Sequence, residues 1–124
     1  MLVDLVPDFF AACAAPDPVA AYHSYLDRHR PVLAGYWHNY VLDLDAPHVG
    51  QIIRETLEAD RSDLRRLLDD VDVVEIAEEA LRRSLVVLEA DCPIDLYLTV
   101  GVGAANAGEL VVDGRGVAIV CLEL

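Results

Sequence analysis

The chain has 124 residues, enough for one hydrophobic core and too few for two. Hydrophobic residues make up 55% and charged residues 25%, a balance that supports a packed domain and argues against intrinsic disorder. Acids outnumber bases 22 to 9 for a net charge of -13, which makes nucleic acid and anionic membrane poor partners.

The start, Met1-Leu-Val-Asp-Leu-Val-Pro-Asp8, has no basic region, and Asp4 and Asp8 interrupt its apolar run. It does not read as a signal peptide. No apolar run approaches the roughly 18 residues that span a bilayer. Cys13, Cys92 and Cys121 are odd in number, far apart and set in apolar contexts, so buried free thiols are expected rather than disulfides. These features give a cytoplasmic expectation. Every basic side chain is Arg, and with the abundant Ala, Val, Leu and Asp this resembles a GC-rich bacterial composition.

The first part of the chain, residues 1–91, reads as mainly helical. Pro7 suits the first turn of a short helix ending by Ala15, because its missing N–H is not needed there. Asp17-Pro18 is a cap-and-start pair for a helix to about His29, with Tyr22, Tyr25 and Leu26 on one face. Pro31 forces a break or a new start. Val32 to Leu42 then places Leu33, Tyr36, Trp37, Tyr40 and Val41 at helical spacing. Asp43 to Pro47 reads as a loop. A helix from about His48 to Leu68 follows, and the apolar gap from Ala59 to Asp63 allows a kink or a second start at Ser62. Asp72 with Glu75 is a capping-box-like pair opening a helix with Val74, Ala77, Leu81, Leu85 and Leu88 on one face.

Residues 92–124 change period. Ile94, Leu96, Leu98 and Val100 alternate with Asp95, Tyr97 and Thr99, which predicts a half-buried strand. Gly101 to Gly108 is a glycine-rich loop and Glu109 to Val112 a short strand. Asp113-Gly114 is a hairpin signal, because a type I′ turn needs positive φ at both positions. Val117 to Leu122 is apolar at every position, as in a central strand covered on both faces. The expected fold class is α+β: one domain over 1–124, with an N-terminal layer of about five helices followed by a small C-terminal sheet containing a hairpin. The run ends at Cys121-Leu-Glu-Leu124, which suggests that the reading frame continues or that another chain docks on the sheet, the plainer alternative being an edge-to-core strand at a natural C-terminus.

Chemistry-bearing patterns are sparse. Gly101-x-Gly103 follows a strand, yet Asn106 stands where a dinucleotide loop needs its third glycine, and a hairpin follows in place of a helix. His23, His29, His38 and His48 have no one-turn spacing for a metal, although two could meet across helices. Asp43 and Asp45 in one loop read as a solvated helix cap before a weak cation site. Ser24, Ser62 and Ser84 lie in helical patterns, and Cys121 has no evident base, so no activated nucleophile is visible. Tyr36, Trp37 and Tyr40, with Phe9, Phe10, Tyr22 and Tyr25 upstream, read mostly as core, with a binding pocket at Tyr36, Trp37 and Tyr40 as the functional alternative.

Pro7-Asp-Phe-Phe10, Tyr22 to Tyr25 and Tyr36-Trp37 resemble the helical N-terminal region of a bacterial family of predicted zinc-dependent proteases. Ile94-Asp-Leu-Tyr-Leu-Thr-Val-Gly-Val-Gly-Ala-Ala-Asn-Ala-Gly108, with the hairpin to Leu122, looks like the strand pair ahead of that family's HExxH helix. In the wider gluzincin group an edge strand with an Asn-Ala step pairs with substrate backbone. The resemblance implies that Ala105, Asn106, Ala107 and Gly108 form such a substrate-facing strand. This chain contains no HExxH. The resemblance therefore implies no catalytic residue and no metal ligand here, and zinc only where a downstream HExxH segment exists.

Two functional readings follow. The first is the non-catalytic N-terminal portion of a zinc metallopeptidase-like protein, carrying the substrate-facing strand without the metal-binding helix. The second is a stand-alone acidic module that binds a protein or small molecule and completes its sheet with a partner. The partners expected are a peptide or partner strand and a second copy of the chain, with no nucleic acid and no membrane.

Overall fold

The computed structural model describes residues 1–89, 91 and 93–123. The expectations for Cys92 and Leu124 lie outside the described residues. The fold is α+β. Strand β1 (Leu2–Asp4) leads into six helices: α1 (Val6–Cys13), α2 (Pro18–Arg28), α3 (Arg30–Tyr40), α4 (Val49–Glu58), α5 (Ser62–Asp70) and α6 (Val73–Val87). Strands β2 (Ile94–Val100), β3 (Ala107–Val112) and β4 (Arg115–Leu122) complete a four-stranded sheet of order β1-β2-β4-β3.

Local chemistry accounts for most boundaries. The Asp17 side chain accepts the Ala20 N–H at 3.1 Å and caps α2, and Asp72 accepts the Glu75 N–H at 3.0 Å and caps α6. Pro7, Pro18 and Pro31 each fall in the first two positions of a helix, where a missing N–H is harmless. The helical stretch expected over 48–68 is two helices, with the second start at Ser62 that the apolar gap allowed. α4 ends at Glu58, and Asp60 accepts the Ser62 N–H at 2.9 Å to start α5. The described residues thus form six helices, against about five expected.

Strand β1 was not expected, because three residues are too few to show a period. It forms by pairing: Leu2 lies opposite Leu96 in parallel register, and the Met1 carbonyl accepts the Leu96 N–H at 2.8 Å. β2 and β4 are also parallel, and β3 returns antiparallel to β4 through the hairpin. Asp113 and Gly114 both have positive φ, 50° and 76°, as the turn requires. β3 begins at Ala107, two residues before the expected strand, so the glycine-rich loop ends at Asn106.

The two long strands exchange the roles expected of them. β2 is covered on both faces: Leu96, Leu98 and Val100 are buried, and so are Asp95 and Thr99. β4 alternates instead, with Val117, Ile119 and Cys121 buried and Val120 exposed. Burial on β2 tolerates polar side chains because each finds a partner. The Thr99 hydroxyl bonds Tyr25 at 2.6 Å, and Arg115 grips Asp95 with two bonds of 2.7 and 2.9 Å. The core is rich in aromatics: Phe9, Tyr22, Tyr25, Tyr36 and Trp37 from α1 to α3 are all buried, with Ile53, Leu64 and Ile119. No helix among the described residues is long and apolar enough to cross a membrane.

Candidate functional site

The parallel strands β2 and β4 end side by side, Val100 opposite Leu122. Ligand crevices in parallel sheets form at such carboxyl ends, where the chain leaves in different directions. Here an open groove of about 740 Å³ lies at that end, lined by Tyr40, Leu42, Glu55, Arg61, Asn106 and Glu123 among others.

Its wall is built from the loop after β2. Glu123 accepts the Gly103 N–H at 3.0 Å and ties the loop to the end of β4. Arg61 reaches from the start of α5 to donate to the carbonyls of Thr56 at 3.3 Å and Gly101 at 3.5 Å. Its guanidinium lies 5.7 Å from the centre of the Phe9 ring, and its Nε is buried without a hydrogen-bond partner. Arg61 thus places one cation among the carboxylates Glu55 and Glu123.

Two tyrosines of α3 anchor the next segment. The Tyr36 hydroxyl donates to the Ala105 carbonyl at 2.8 Å and receives the Cys121 thiol at 3.3 Å. Burial pushes both the Tyr36 phenol and the Cys121 thiol above their ordinary values. Cys121 is held as a neutral thiol, the opposite of an activated nucleophile. One turn along α3, the Tyr40 hydroxyl accepts the Glu109 N–H at 3.0 Å and donates to the Glu109 carbonyl at 3.3 Å. Its ring packs over Gly108, where a Cβ would fall 2.5 Å from a ring carbon.

These contacts define the outer edge of the sheet. Among the described residues, β3 pairs with β4 on one side alone. The Cys121 N–H donates to the Asn106 carbonyl at 2.7 Å, so alternate residues from Asn106 onward face β4. Ala107, Glu109 and Val111 then direct their main-chain groups outward, as the Tyr40 bonds to Glu109 require. One phenolic hydroxyl satisfies both outward groups of Glu109.

The structure therefore brings together residues nominated on separate grounds. Ala105, Asn106, Ala107 and Gly108 run from the groove into the edge strand, held by Tyr36 and Tyr40. Trp37 lies apart, buried in the core. Arg61, Glu55 and Glu123 were not nominated, since no spacing links α4, α5 and the end of β4.

Among the described residues, possible metal donors do not converge. Asp43 hydrogen-bonds His38 on the exposed end of α3 and raises its pKa, and Asp8 lies 3.4 Å from His29. Among the described residues, no group of three or more His, Cys, Asp or Glu is arranged to hold a metal ion. The glycine-rich loop leads into β3 rather than a helix. No protein-family model, curated protein or solved structure matches the chain.

Proposed function

We propose that this chain is a non-catalytic binding module that takes an extended segment of another polypeptide along β3. The observation that carries this reading is the edge itself. Ala107 and Val111 direct main-chain groups outward on either side of Glu109, whose own pair is held by a single hydroxyl. That hydroxyl is a donor and acceptor at one point, the same pairing a residue of an added strand supplies. An incoming strand displaces it without leaving a main-chain group unpaired. The net charge of -13 favours a basic segment.

The test is selection from a phage-displayed library of random dodecapeptides. Binders should be basic, and should slow hydrogen exchange at the amides of Ala107, Glu109 and Val111. Tyr40→Phe removes the competing hydroxyl and should bind the same peptides several-fold more tightly. Failure to enrich any peptide, or protection confined to other amides, overturns the proposal.

The placement of Asn106-Ala107 at the head of an edge strand favours one second reading, the N-terminal portion of a zinc metallopeptidase-like protein. In that case the bound segment is substrate, and zinc enters only with a downstream HExxH segment. Intact mass and zinc content of the native protein separate the two. A mass well above 13.6 kDa with about one zinc per chain supports the peptidase reading. A mass of 13.6 kDa without zinc supports the free-standing module.

A further inference from the structure

Helix α6 is weakly anchored for its length: none of its 15 residues is buried. Val74 and Ala77 pack partly against the core, while Ile76 is 60% exposed and Val87 79% exposed. A helix of this length on its own is marginal in water, and its stability comes from covering an apolar face. Ile76, Ala80, Arg83 and Val87 follow one another at steps of four, three and four, so they form a single stripe. Wheel geometry sets that stripe away from the face carrying Ala77, Leu81 and Leu85.

The charges along the helix are polarised. Glu75, Glu78 and Glu79 occupy its first half and Arg82 and Arg83 its second. Glu79 already gathers both arginines, at 2.7 and 2.6 Å. A parallel pairing of two such helices sets acid against acid and base against base. An antiparallel pairing sets each acidic half against a basic half and opposes the helix dipoles favourably.

We propose that α6 is a self-association surface, pairing antiparallel with α6 of a second copy about a two-fold axis between Ala80 and Arg83. Ile76 of each copy then lies against Val87 of the other, and Glu79 faces Arg83 across the axis. Ala80 is small enough at the centre for the helices to approach closely. The interface is isologous, so it closes at two copies.

Sedimentation velocity on the full chain tests this. The wild type should be a dimer at high micromolar concentration. Val87→Asp should be a monomer with an unchanged circular dichroism spectrum, since the side chain is exposed. The variants Glu79→Arg and Arg83→Glu should each be monomeric, and their equimolar mixture should recover a heterodimer. A wild type that stays monomeric overturns the proposal, as does a dimer that survives Val87→Asp. A dimeric wild type whose charge-swapped variants fail to pair also overturns the antiparallel arrangement.

Discussion

The ring of Tyr40 occupies the space that a side chain on Gly108 would need, with a ring carbon 2.5 Å from the position of a Cβ. Gly108 is thereby a contact requirement and not a turn requirement. Gly108→Ala forces the ring off the sheet edge, and overpacking of this kind costs about 1–3 kcal/mol. A urea titration should show a lower midpoint with an unchanged slope. The Glu109 amide, released from the Tyr40 hydroxyl, should exchange faster.

The buried pair Tyr25–Thr99 provides a second test. Its hydroxyls meet at 2.6 Å between α2 and β2. Tyr25→Phe leaves the threonine hydroxyl without this partner, and Thr99→Val does the same to the phenol. Each should cost about 1–3 kcal/mol, with the double variant losing less than the sum. Burial pushes the Tyr25 phenol up to about 12, so its ultraviolet titration should lag behind that of an exposed tyrosine.

Asp95 gives the fold a pH dependence of known sign. Hydrogen bonds from Arg115 hold its carboxyl below the usual carboxylate range. The stabilisation is complete above about pH 4, where the same carboxyl ionises in the unfolded chain. It is lost as the pH falls through the lower folded-state value. The melting temperature of Asp95→Asn should therefore fall below that of the wild type by several degrees at neutral pH. The gap should narrow on acidification, as differential scanning calorimetry at a series of pH values would show.

Net charge supplies a prediction for the whole chain. At -13 the folded state repels itself, and salt screens that repulsion over a Debye length near 10 Å at about 0.1 M. The melting temperature should rise by a few degrees between low and moderate NaCl. A fall over that range would show that the ion pairs contribute more than the self-repulsion removes.

What could be read from sequence was local. Asp17 and Asp72 cap their helices because the cap chemistry lies within three residues, and Asp113-Gly114 turns because both positions tolerate positive φ. β1 escaped notice because a three-residue strand owes its existence to Leu96, far along the chain. The burial of β2 and β4 departs from their hydrophobic pattern because hydrophobicity reports which residues prefer burial, while coverage is set by packing. Asp95 and Thr99 look solvent-facing until Arg115 and Tyr25 supply their partners. Tyr36, Tyr40 and Ala105 to Gly108 were visible as two unrelated groups. Their meeting depends on how α3 lies against β3, which no spacing encodes. Arg61 and Glu123 are ordinary charges in sequence, and their placement in the groove is purely tertiary.

The parallel pairing of Leu2 with Leu96 also sets a timetable. All six helices lie between these two residues in the chain. During synthesis β1 emerges ahead of the helices and waits, unpaired, until β2 has been made. At about 5–20 residues per second that delay is roughly 5 to 20 s. Helices α1 to α5 can therefore gather their aromatic core before any strand has a neighbour, and the sheet closes only once β2 has been made.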